Sequence, residues 1–234
     1  MALPKLNDVP KYEAEVPSTK QNIRFRPFLV KEQKILLMAL ETKDEKSILN
    51  SITDTLESCI IDPIKISNLT SFDVEYLFTQ IRGKSVGEST TIGFMCTECE
   101  TENEVKINLA DIKIEVPKRD MSVKIDDTYT IQMKYPTYLN MLNEEINSES
   151  DVERIYNTLV MCLDKLKTDD EIIEFSEEPK EEIMAFIEQL STKQFEKIME
   201  FVSNIPALRH EIFFDCEKCG HKNNSVLQGI SDFF

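Results

Sequence analysis

The chain has 234 residues, 41% of them apolar, which is enough for one large domain or two small ones with a real core. Its formal net charge is −16, so it repels phosphate backbones and anionic bilayers, and neither nucleic acid nor membrane is expected as a partner. The charge fits a solvated surface, or complements a basic protein partner.

The first segment, MALPKLNDVPKYEAEVPSTK, has no apolar core of the kind a signal peptide needs, and no run approaches the roughly 20 apolar residues of a membrane span. A reducing cytosol is therefore expected, and six cysteines without a secretion signal argue against a disulfide framework. Residues 1–22, punctuated by Pro4, Pro10 and Pro17, read as an extended N-terminal arm.

Residues 23–88 read as a mainly helical region. NIRFRPFLV is a short strand ending in a turn. KEQKILLMALETKDEKSILNSITDTLES is helical, with one stripe at Ile35, Met38 and Ala39 and another at Ile48, Leu49, Ile52 and Leu56. Thr42-Lys43-Asp44-Glu45 has the form of a capping box and divides this stretch into two helices. Cys59, in an apolar setting, is assigned to the core. TSFDVEYLFTQIRG forms a helix capped by Thr70 or Ser71, with Asp73 in its first turn and Gly83 at its end. IRGKSVGE, residues 81–88, is the best candidate for an exposed functional loop, since Arg82 and Lys84 are positive in an acidic chain; a helix C-terminus would favour the same bases.

Residues 89–135 switch to alternation: TTIGFMC, a first Cys pair, EVKINLADIKIEV, and a hairpin turning at Asp126-Asp127. Residues 136–208 read as a second helical region. Its stripes are Val152, Ile155, Tyr156, Leu159, Leu163 and Leu166; then Ile183, Phe186, Ile187 and Leu190 behind Pro179; then Phe195, Ile198, Met199 and Val202 behind a Ser191/Gln194 box. Cys162 falls within the first of these and is assigned to packing. Residues 209–234 return to strand through LRHEIFF, carry a second Cys pair and end in a C-terminal strand.

The two Cys pairs share one pattern. FMCTECETEN at 94–103 and FDCEKCGHKN at 214–223 both fit F-x-C-x-x-C-x-x-x-N. A thioredoxin-like redox site needs C-x-x-C at a helix N-terminus, whereas both pairs lead through a tight turn into a strand, and the acids at 98, 100, 102 and 104 would raise a thiol pKa. Strand, C-x-x-C knuckle and returning strand is instead the unit of a zinc ribbon. Two such hairpins would place Cys96, Cys99, Cys216 and Cys219 around one Zn²⁺. Four thiolates leave no open position for water, so the ion would be structural. The alternative is the same ribbon with four reduced cysteines and no metal. His221 could substitute for one ligand, and Gly220 suits its turn, while Glu100 at the equivalent place departs from the pattern.

No metalloprotease, phosphate-loop, nucleophile-elbow or dinucleotide motif is present, and five glycines and two histidines leave little for a catalytic set. Asp126-Asp127 and Asp169-Asp170 read as turns. No enzyme activity and no small-molecule substrate are expected.

FRPFLVKEQKILLMA (25–39), DVEYLFTQIRGKSVGE (73–88) and IQMKYPTY (131–138), together with the two knuckles, resemble the baseplate hub family of contractile-tailed, T-even-type bacteriophages. The resemblance runs from about Ile23 to the C-terminus. It implies a non-enzymatic protein of virion morphogenesis that binds other baseplate hub and tail proteins in the host cytoplasm during assembly, and that then either stays in the tail baseplate of the virion or leaves as an assembly chaperone. Phe233-Phe234 would then be natural anchors in a neighbouring subunit. The alternatives are a zinc-ribbon regulator of nucleic acid or polymerase and a thiol oxidoreductase. The expected fold is α+β, with helical regions around a zinc-ribbon-like β module built from two sequence-distant hairpins.

Overall fold

The computed structural model describes residues 9–42, 44–140, 143 and 150–229. The terminal Phe233-Phe234 and the first eight residues of the expected arm lie outside them. The fold is α+β and divides into two compact units: residues 1–116 with 207–234, and residues 117–206.

In the first unit, part of the expected arm is a strand. β1 (Tyr12–Glu15) pairs antiparallel with β2 (Asn22–Phe25), so the segment is folded back on its own chain. The pairing turns the apolar alternates Ala14, Ile23 and Phe25 inward, and all three are buried. The expected pair of helices is α1 (Val30–Thr42) and α2 (Glu45–Cys59). The break has a different cap from the one expected: Asp44, not Thr42, accepts the Ser47 N–H at 3.0 Å.

α3 (Ser71–Val86) starts with a capping box between Thr70 and Asp73. Gly83 does not end it. That helix continues to Val86 and stops at Gly87, whose φ of 135° only glycine adopts easily. IRGKSVGE is therefore not a free loop. Its first six residues are the last turns of α3, Gly83 is buried, and Lys84 pairs with Glu88 four residues on.

α3 is also the post that positions the two hairpins carrying the Cys pairs. β3 (Ser89–Met95) and β4 (Glu102–Asn108) form the first, and the turn at Leu109–Asp111 packs against α3. β9 (Arg209–Asp215) and β10 (Lys222–Gln228) form the second, and the Leu208 N–H just before it donates to Glu75 of α3 at 3.3 Å. Beneath them lies a shared core of Ile107, Leu109, Ile112, Leu208, Ile212 and Leu227. The hairpins, remote in sequence, meet because both need that cover.

The second unit holds a four-stranded antiparallel sheet in the order β5 (Ser122–Lys124), β6 (Thr130–Met133), β7 (Leu163–Lys167), β8 (Ile172–Glu174). Among its helices are α4 (Asp151–Cys162), α5 (Lys180–Glu188) and α6 (Thr192–Ser203), the last with the expected Ser191/Gln194 box. The stripe expected to run as one helix from Val152 to Leu166 divides at Cys162. From Leu163 the chain is extended and pairs with β6 and β8. Leu159, Leu163 and Leu166 all join one core with Ile131, Ile183, Ile187, Ile198 and Phe201, so the apolar period is satisfied in two conformations.

Candidate metal centre

Each knuckle is built in the same way. The Cys96 N–H donates to Thr101 O at 2.9 Å and the Glu100 N–H to Cys96 O at 3.0 Å. In the second knuckle the Cys216 N–H donates to His221 O at 2.8 Å and the Gly220 N–H to Cys216 O at 2.8 Å. Both turns need a left-handed residue. Gly220 supplies it at φ 71°, and Glu100 adopts it at φ 53°. The departure noted in the first knuckle thus costs conformational energy without changing the turn. Glu100→Gly is expected to stabilise the protein by about 1 kcal/mol in chemical denaturation. Destabilisation instead would show that the Glu100 side chain holds something in place.

The hairpins bring the four cysteine sulfurs together, all within 4.8 Å of one another. Cys96 Sγ lies 3.7 Å from Cys219 Sγ, and Cys99 Sγ lies 3.6 Å from Cys216 Sγ. These separations far exceed a disulfide bond of about 2.0 Å. They match the edge of a tetrahedron whose centre sits about 2.3 Å from each sulfur, roughly 3.8 Å. The cluster can therefore hold a metal ion. Among the described residues it comprises these four cysteines, with no histidine ring included. Cys59 and Cys162 stay apart: both are buried free thiols, and burial pushes them up to about 11 and about 12.

Backbone donors are aimed at the sulfurs, as the two-residue spacing requires. Cys216 is drawn down to about 6, foremost by the Cys219 N–H and against burial, with help from the Lys218 N–H and the neighbouring sulfurs of Cys99 and Cys219. At Cys96 burial opposes ionisation, but the N–H groups of Cys99 and Glu98 and the Asn223 amide outweigh it and hold the thiol below its ordinary value. Cys219 accepts from the His221 N–H, yet burial and the sulfurs of Cys99, Cys216 and Cys96 push it up to about 12. Four thiolates so close cannot all ionise without a cation among them.

The asparagine of the shared pattern has a role that sequence reading left unassigned. Asn103 donates to Thr101 O in its own knuckle at 2.8 Å and accepts the Glu217 N–H of the other at 2.9 Å. Asn223 donates to His221 O at 3.0 Å and accepts the Thr97 N–H at 3.0 Å. Each amide therefore latches the residue after the first cysteine of the opposite knuckle, and both are buried. The phenylalanines complete the symmetry, with Phe94 and Phe214 ring centroids 5.6 Å apart. The signal was present in the repeated Phe and Asn. Their reciprocal pairing needed coordinates.

The redox geometry is absent from both knuckles. Each leads into a strand, at Glu102 and at Lys222, and neither opens a helix. No helix among the described residues is long and apolar enough to cross a membrane.

No curated protein and no solved structure matches the chain. A family profile described as T4 bacteriophage base plate protein matches residues 9–234, which include both knuckles, α3 and the whole second unit. The chain belongs to the T4 bacteriophage base plate protein family.

Proposed function

We propose that this chain is a non-enzymatic structural or assembly protein of the central hub of the phage tail baseplate, acting through contacts with other hub and tail proteins. It would meet them in the host cytoplasm during assembly and join the baseplate of the virion tail. Cys96, Cys99, Cys216 and Cys219 hold one structural Zn²⁺ that staples the middle of the chain to its end. The observation that carries the reading is the family match across residues 9–234. The closed four-sulfur cluster fits it, because four thiolates leave no position for a substrate or a water nucleophile.

Zinc is favoured over other ions because an all-thiolate tetrahedral donor set in a cytosolic protein suits a soft, redox-inert cation. The bound ion would neutralise part of the charge on four crowded thiolates. The chain's own contribution is the set of backbone N–H groups and the Asn103/Asn223 latch, which hold the sulfurs in place.

Association with the hub proteins of the same phage tests the biological role. The purified chain, mixed with each hub protein in turn, is expected to co-elute with at least one of them in size-exclusion chromatography. Failure to associate with every hub protein would overturn the hub assignment and leave the metal assignment standing.

A further inference from the structure

α1 is inverted relative to an ordinary surface helix. The residues it buries are Glu32, Leu36 and Ala39. Its opposite face carries Val30, Lys34, Leu37, Met38 and Glu41, and Val30, Leu37 and Met38 are 80%, 54% and 55% exposed. These positions follow the i, i+4, i+7, i+8, i+11 spacing of one continuous stripe. Leu29, just before the helix start, is exposed as well, and the Phe28 N–H that precedes it donates to Ser85 Oγ of α3 at 2.9 Å. Singly exposed apolar residues are ordinary, but a contiguous stripe along one helix marks a contact surface.

The charges say what covers it. Lys31 and Lys34 lie in the first half of α1, while Glu41 lies in its last turn and Asp44 just beyond. That order runs against the helix's own dipole, which favours anions at the N-terminus and cations at the C-terminus. Glu32, the acid in the first turn, is buried and held by Arg26 at 2.8 Å, by Lys31 at 3.2 Å and by the Leu29 N–H at 2.8 Å. Among the described residues, Lys34 and Glu41 have no ion-pair partner.

We propose that a second copy of this chain covers the stripe, with the two α1 helices antiparallel about a two-fold axis near Leu37 and Met38. In that register Lys34 of each copy opposes Glu41 of the other, and Leu37 opposes Met38. Every pair occurs twice, as an isologous contact requires. The antiparallel arrangement also opposes the two helix dipoles, so each unfavourable end charge meets its complement. In this register the chain is complementary to itself. The proposal stands apart from the hub reading and does not depend on it.

The contact is modest. A 13-residue helix is about 20 Å long and presents a strip about 10 Å wide, well short of the roughly 800 Å² per partner of a stable complex. Dimerisation is therefore concentration-dependent.

Sedimentation equilibrium of the full chain, from about 5 to about 500 µM, reads it directly. The weight-average mass is expected to rise from 27.1 kDa toward twice that value. Leu37→Glu is expected to weaken association at least about tenfold without altering the thermal melt, because Leu37 contributes little to the core. Lys34→Glu and Glu41→Lys should each weaken it about threefold to tenfold, and the double variant should restore it. These residues sit two turns apart and do not meet within one chain, so only pairing between copies predicts rescue. A monomer at every concentration, or a dimer indifferent to these variants, would overturn the proposal. So would Leu37→Glu abolishing a hub contact in a chain that never self-associates, since that assigns the stripe to another protein.

Discussion

Cys216→Ser is expected to reduce bound zinc from about one ion per chain to a trace and to lower stability by about 5 kcal/mol. An ion held at the proposed site would link residues 117 to 123 apart in sequence, between Cys99 and Cys216 and between Cys96 and Cys219. Closing a loop of that length by a cross-link removes about 4.7 kcal/mol of chain entropy from the unfolded state. A coordinated metal does the same while it remains bound. The loss falls on the first unit, where the two hairpins share one core. The latch of Asn103 and Asn223 and the Phe94–Phe214 contact remain in the variant, so the hairpins are expected to stay paired at low temperature and to separate early on heating. Metal analysis by mass spectrometry beside a denaturant titration checks both halves. An unchanged metal content would remove Cys216 from the ligand set, and a metal-free parent protein of the same stability would remove the staple altogether.

Asp73→Ala is expected to cost about 3–5 kcal/mol, although Asp73 is remote from any proposed site. Its carboxylate is fully buried at the N-terminus of α3. It accepts the Ser18 N–H at 2.8 Å, the Ser18 hydroxyl at 2.6 Å, the Thr70 N–H at 3.1 Å and the Thr70 hydroxyl at 2.7 Å. Four donors would lose their acceptor at once, in a place where replacement by water requires the β1–β2 turn to lift from α3. The carboxylate also sits at the positive end of the helix dipole, which alanine cannot serve. Asp73→Asn keeps the volume and one acceptor oxygen, and its expected cost is about half. Urea unfolding of the three proteins measures the series. A change below about 0.5 kcal/mol for Asp73→Ala would show that the turn is not clamped there.

The two variants probe different kinds of legibility. The four clustered cysteines could be grouped from spacing because a C-x-x-C knuckle is a local device: its turn, its aimed N–H groups and its returning strand all lie within ten residues. Repetition then pointed to one shared site. Asp73 was legible only as a helix-start signal. That its second oxygen also holds Ser18, 55 residues away, depends on how the first hairpin docks on α3. The helix ends show the same division. Thr70 and Ser191 cap helices through their own side chains and neighbouring amides, so sequence suffices. Gly83 carries the composition of a helix end but lies inside α3, because its small surface is buried within the fold and the left-handed turn is taken by Gly87.

Sequence alone determined the α+β class, the two remote knuckles with their four cysteines and the helix starts at Thr70 and Ser191, because each is written in short-range chemistry of period, cap or spacing. Tertiary structure decided the rest. Leu163 and Leu166 continue the apolar period of α4, and no proline or glycine interrupts them; they are strand because β6 and β8 offer their backbone partners on both sides. Tyr12–Glu15 is strand and not a free arm because Asn22–Phe25 lies opposite it. The face of α1 left uncovered was decided in the same way: period predicts an apolar stripe, but which stripe is buried depends on what the neighbouring elements supply to cover it.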